Sequence, residues 1–136
     1  MKKIGLGLAA LAGATLVASP AFAALKVGDK APGFSIPVAT NGVVSTFSLQ
    51  DALKSGPVVV YFYPKAFTGG CSLEAHQFSE AIPKFEAKHV TVVGVSTDEI
   101  GTLQKFSKEV CQGKFPVGAD TKAVVTKAYD AQMGTM

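Results

Sequence analysis

The chain has 136 residues, 48% of them hydrophobic and 17% charged, with a mean hydropathy of +0.31, the profile of one globular domain carrying an apolar excess. Its 13 basic residues are all Lys and stand against 10 acidic ones. No basic tract or patch is left on which binding to nucleic acid or an anionic membrane could be built, and the length argues against two domains.

Lys2 and Lys3 precede an apolar run from Ile4 to Val17, Pro20 breaks it, and Ala21-Phe22-Ala23 supplies small residues for a peptidase. This predicts a secretory signal over residues 1–23, cleaved after Ala23. An uncleaved anchor is the rival reading, but the run falls short of the ~20 residues that span a bilayer. Removing 23 of 136 residues leaves 113, with 11 Lys against 10 acidic groups. That is enough for a single core burying ~65% of the unfolded surface. The mature domain, residues 24–136, is then expected in an oxidising compartment, periplasmic or secreted, free of the membrane, where two cysteines can form a disulfide.

In the mature chain, Asn41-Gly42 separates two short apolar runs, Phe34 to Val38 and Val43 to Leu49, which is a hairpin signal. Val58 to Tyr63 is a continuous β-branched and aromatic run ended by Pro64, expected as a strand buried on both faces. After the loop Pro64 to Gly70, Ala75, Phe78, Ile82 and Phe85 recur at helical spacing, and Pro83 is expected to kink or divide that helix. Val90 to Val95 is a second strand, so strand, helix, strand predicts a right-handed crossover between parallel neighbours. Ile100, Leu103, Phe106 and Val110 mark another amphipathic helix with Gly113 past its end, and Ala123 to Tyr129 starts a third. The pattern is an α/β sandwich. It breaks off after a helix that would ordinarily lead into another strand, which predicts that the natural chain continues past Met136.

Cys71 lies seven residues after Pro64, where the free backbone N–H groups of a helix start converge and favour thiolate over thiol. A small buried hydrophobe is the alternative, but Gly69-Gly70 allows a substrate or partner to approach the backbone closely. Thr68 stands three residues before Cys71, as in a Cys-x-x-Cys motif whose first cysteine has become a hydroxyl, which excludes dithiol exchange at this loop. By itself Thr68 serves equally as a helix cap or a catalytic hydroxyl.

The segment Pro64-Lys65-Ala66-Phe67-Thr68-Gly69-Gly70-Cys71 resembles the peroxiredoxin signature of Pro, three residues, Thr, two residues and Cys. The resemblance extends from Val27-Gly28-Asp29-Lys30-Ala31-Pro32-Gly33-Phe34, through Tyr61-Phe62-Tyr63-Pro64, to Gly94-Val95-Ser96-Thr97-Asp98 and Phe115-Pro116. Its nearest branch is peroxiredoxin Q, also called bacterioferritin comigratory protein. It implies a thioredoxin-like fold, a three-layer sandwich around a mixed sheet, here without its last strand or strands and helix. It also implies reduction of hydrogen peroxide or alkyl hydroperoxides without a cofactor, by a monomer served by a thioredoxin-like reductant. Cys71 would be the peroxidatic cysteine, forming a sulfenic acid; Thr68 would hydrogen-bond the peroxide and thiolate. Pro64 would shield the sulfur, and the N–H groups of Gly70 and Cys71 would hold the oxygens.

One version of the branch has a resolving cysteine five residues after the peroxidatic one, where this chain has His76, read as a helix-surface residue like His89. Cys111 falls at the edge of the apolar face of the Ile100 to Val110 helix. It resembles the resolver of the other version, which forms an intrachain disulfide after local unwinding that Gly113 would ease. A free core thiol and a static structural disulfide remain the alternatives. The family also places an arginine beyond the last expected helix; this chain has none, so that residue would lie past Met136 or the chain would be catalytically crippled. Two rival functions are a thiol-disulfide oxidoreductase of the same fold and a redox-inert binding domain. A metal role is disfavoured, because Cys71, His76, His89 and Cys111 lack the close-paired spacing of zinc ligands.

Overall fold

The computed structural model describes residues 25–133, so the expected signal segment and its cleavage point lie outside the described residues. The order of elements is β1 (Ser35–Thr40), β2 (Val43–Ser48), α1 (Leu49–Leu53), β3 (Val58–Phe62), α2 (Gly69–Glu86), β4 (Thr91–Ser96), α3 (Ile100–Glu109), β5 (Val117–Ala119) and α4 (Val124–Ala128). The strands form one mixed sheet in the order β2-β1-β5-β4-β3. β3, β4 and β5 run parallel, and β1 is antiparallel to both β2 and β5.

The hairpin forms as expected because Asn41 (φ 49°) and Gly42 (φ 78°) both take the left-handed conformation that a two-residue turn matched to strand twist requires. Strand alternation then sorts the interior into two layers. On one face, Val59, Tyr61, Tyr63, Val92 and Val117 meet α2 and α3 through Cys71, Ala75, Ile82, Leu103 and Phe106. On the other, Val58, Val60, Phe62, Val93 and Val95 pack with Ile36, Leu49, Val125 and Tyr129, which bring in α1 and α4. This is the three-layer α/β sandwich. Tyr129 closes it by donating its hydroxyl to Pro32 O at 2.7 Å.

Three expectations are corrected. β3 is half-buried rather than buried on both faces, because among the described residues it pairs only with β4 and stands at the sheet edge. Pro83 neither ends nor divides α2, which runs through it to Glu86. Proline there forfeits a single backbone bond in the last turn, and Ile82 and Phe85 hold that turn on the core. β5, only three residues long, was not foreseen: it is too short to show a period, yet it is fully buried between β1 and β4.

Two glycines fit the sheet to its neighbours. A Cβ on Gly94 would lie 2.9 Å from ring atoms of Tyr61, so the ring rests on bare backbone. Gly118 makes the same room for Ile36 on the opposite face. No helix among the described residues is long and apolar enough to cross a membrane.

Candidate active site

β3 ends by donating from Tyr63 N to Val95 O at 3.1 Å, and Pro64, which has no N–H to offer, turns the chain off the sheet. The loop that follows is pinned from β4. Asp98 Oδ2 accepts from the buried Ala66 N–H at 2.8 Å and from Ser96 Oγ at 2.8 Å. Phe67 takes a left-handed φ of 63°, rare for a residue with a side chain, and its ring meets Phe106 edge-on at 5.2 Å. Phe106 in turn stacks on Tyr63 at 5.6 Å, so one core aromatic holds both ends of the loop.

Thr68 is the N-cap residue of α2, but its side chain makes no cap bond. Its hydroxyl instead donates to Lys65 O at 2.9 Å. With that hydrogen committed, Thr68 Oγ1 faces any further partner as an acceptor. The first backbone bond at this end of α2 is Ser72 N–H to Thr68 O at 2.8 Å. The N–H groups of Gly69, Gly70 and Cys71 therefore lie ahead of the helix's own bonding and point out of its positive end.

Cys71 is the third residue of α2 and only 7% exposed, and it belongs to the same core cluster as Ala75 and Tyr63. A Cβ on Gly69 or Gly70 would meet nothing within 4 Å. Open space therefore lies over the two exposed glycines, while Cys71 itself is buried. A cleft of about 280 Å³ opens beside Pro64, lined by Phe62, Tyr63, Val95, Thr126 and Met133 among others, and neither Cys71 nor Thr68 borders it.

Cys111 sits just past α3 rather than at the edge of its apolar face, and it is fully buried in the same core cluster as Cys71. The helix ends one residue earlier and the turn tucks the thiol inward: both Val110 N and Cys111 N donate to Phe106 O, at 3.0 and 3.1 Å. Burial pushes its pKa up to about 12. Both cysteines are free thiols. Tyr63 lies in the same cluster with Tyr61 packed against it, and burial raises both phenols well above the ordinary range. His76 is half-exposed, as read from the sequence, but it has partners: Glu80 Oε1 at 3.3 Å and Gln112 Nε2 at 3.4 Å.

Sequence reasoning missed Asp98 and Phe67 as supports of the site. Asp98 was visible only as part of the Gly94 to Asp98 resemblance, and nothing in the sequence marks Phe67 as left-handed. Among the described residues no three His, Cys, Asp or Glu side chains gather where a metal could be held.

Residues 27–135 match the model of the AhpC/TSA family. A Helicobacter pylori protein named as a bcp peroxiredoxin is 40% identical over 111 residues, covering 80% of this chain and 70% of the relative. Among solved structures, the Mycobacterium tuberculosis peroxidoxin BcpB aligns with a TM-score of 0.73 at 31% identity, over 82% of this chain and 70% of that one. The bacterioferritin comigratory protein of Xanthomonas campestris, described with an alkyl peroxide reduction activity, gives 0.64 at 27% identity over 74% and 62%.

A thiol at a helix start on a thioredoxin-like sheet defines the class, and the chain belongs to the AhpC/TSA family, in the Bcp or Q branch of the peroxiredoxins. The class is one of thiol-dependent peroxidases.

Proposed function

We propose that this chain reduces hydrogen peroxide and alkyl hydroperoxides in a cycle carried by Cys71 and Cys111. The Cys71 thiolate attacks one oxygen of the peroxide, the O–O bond breaks, and the other oxygen leaves with a proton as water or alcohol. Cys71 becomes a sulfenic acid. The observation that carries this reading is the position of Cys71 inside the first turn of α2, beneath the uncommitted N–H groups of Gly69, Gly70 and its own backbone. Those donors suit the thiolate and the oxygen that gains charge, and Thr68 Oγ1 accepts a hydrogen bond from the peroxide O–H.

Cys111 then leaves the core, loses its proton, and attacks the Cys71 sulfur, releasing water and closing an intrachain disulfide. A thioredoxin-like dithiol restores both thiols. The lysine pair, apolar run and Ala-Phe-Ala site at the start of the sequence support a periplasmic or secreted setting for this cycle, with cleavage after Ala23.

Intact mass tests the whole reading on protein from its native source, reduced and then given one equivalent of hydrogen peroxide. The starting mass reports cleavage after Ala23. A rapid loss of two mass units is expected, from the Cys71 to Cys111 disulfide. A gain of about one or two oxygens instead keeps Cys71 but removes Cys111 from the cycle. An unchanged mass overturns the peroxidase reading.

A further inference from the structure

The proposed cycle requires a fully buried Cys111 to come out, and the restraints on the segment that carries it are unequal. The body of α3 is clamped by the β1–β2 turn: Gly42 N–H donates to Ser107 Oγ at 2.9 Å, and Gln104 Nε2 donates to Gly42 O at 2.9 Å. Ser107 is fully buried, and its hydroxyl also donates to Gln104 O at 2.9 Å. Pulling this part of the helix away would strand polar groups in the core.

The turn after Cys111 is held differently. Gln112 has a left-handed φ of 54° and is followed by Gly113 at 68°, so a residue with a long side chain occupies a conformation better suited to glycine. Its side chain reaches over to α2, where Gln112 Nε2 lies 3.4 Å from His76 Nδ1 while His76 Nε2 lies 3.3 Å from Glu80 Oε1. All three groups agree in one neutral tautomer, with Gln112 donating to Nδ1 and the Nε2–H donating to the Glu80 carboxylate. His76 stands five residues after Cys71 on the same helix. The link therefore ties the helix bearing one thiol to the turn bearing the other.

We propose that Gln112, His76 and Glu80 form a latch that sets how often the Cys111 turn opens, which makes His76 a positioning residue for the resolving step. This rests on the reading of Cys111 as the resolving thiol. Opening the latch exchanges exposed hydrogen bonds for bonds to water and frees Gln112 from its left-handed backbone, at the cost of the Gly113 N–H bond to Ser107 O. Ser107 and Gln104 meanwhile keep the rest of α3 on the hairpin. Opening is thus confined to the turn around residues 110–113, and the sheet keeps its cover.

The test compares reduced wild-type protein with His76→Ala, Gln112→Ala and the double variant. Each is exposed to a small thiol-alkylating reagent under native conditions, and labelling of Cys111 is followed by peptide mass. In parallel each receives one equivalent of hydrogen peroxide, and sulfenic acid and disulfide are timed by acid quench. Each single substitution is expected to speed Cys111 labelling and disulfide closure roughly threefold, the scale of one exposed hydrogen bond, with oxidation of Cys71 unchanged. The double variant should be no faster than either single, because both remove the same link. Wild-type labelling rates in the single variants, or a double variant faster by the product of the two, overturn the latch. Faster labelling without a Cys71 to Cys111 disulfide in any protein supports the latch and overturns the resolving role of Cys111.

Discussion

The two cysteines share one core cluster, yet their surroundings differ in nearly every respect that governs thiol chemistry. Cys71 lies inside a helix start, under free N–H donors, behind two glycines that face open space. Cys111 lies beyond a helix end, fully enclosed, its pKa pushed by burial to about 12. At the second position burial suppresses the charged form of the thiol. The contrast teaches that one core can hold two thiols in opposite settings, one at a helix start beside open space and one enclosed past a helix end; on the proposed cycle the enclosed thiol takes part only when its turn opens.

The contrast breaks most completely at the reactive sulfur. Cys71→Ser should abolish peroxide consumption in a steady-state assay, whereas Cys111→Ser should still complete one turnover and stop at the sulfenic acid, as mass after one equivalent of peroxide will show.

Next in size is the partition between the two thiols. Gly94→Ala pushes a methyl to 2.9 Å from the Tyr61 ring, which packs against the cluster holding both thiols. A loss of ~2–3 kcal/mol in urea unfolding is expected, because that ring is stacked on Phe78 at 4.3 Å and moves only by disturbing it. Stability equal to wild type would show that the ring shifts without strain.

Asp98→Ala acts on one side of the comparison only. It leaves the buried Ala66 N–H and Ser96 Oγ without their acceptor, at about 1–2 kcal/mol, and loosens the loop that sets Thr68. Alkylation of Cys71 should change while the protection of Cys111 stays as in wild type. Equal changes at both thiols would mean that Asp98 supports the domain rather than the loop.

The smallest effect sharpens the other side. An unfolded chain loses the Cys111 proton near its ordinary value of 9.0, while the folded chain holds it to about 12. Between those values the unfolded state binds fewer protons, so stability falls as pH rises, with a slope from this group of at most ~1.4 kcal/mol per pH unit. Tyr61 and Tyr63, raised in the same direction by burial, add to the decline at higher pH. Cys111→Ala should flatten the slope in urea titrations under reductant between pH 8 and 11; an unchanged slope would mean that the thiol ionises in place.

Much of this was legible in the residues. The Asn41-Gly42 turn, the β3 and β4 runs and the apolar spacings of α2 and α3 declare local preferences that the packed structure satisfies. So does the placement of Cys71 at a helix start, since glycines and Pro64 leave few other paths for that loop. β5 was hidden because three residues carry no period, and its burial comes from neighbours 20 and more residues away in sequence. Asp120 was hidden for a related reason. Its carboxylate, 4% exposed, accepts from Val124 N, Val125 N, Thr126 N and Thr126 Oγ1, and it reads in sequence as one more acidic residue.

The sequence by itself determined the β1–β2 hairpin, β3, β4, the amphipathic helices α2 and α3 and the place of Cys71 at a helix start, because those depend on side-chain period and on backbone freedom within a few residues. The tertiary structure alone decided the rest. It placed β3 at the edge, let Pro83 stay in a helix, drew Cys111 into the core beside Cys71, and joined His76 to Gln112 across two helices. Each of these depends on which distant surfaces meet, and burial and pairing between residues far apart in the chain leave no local signal to read.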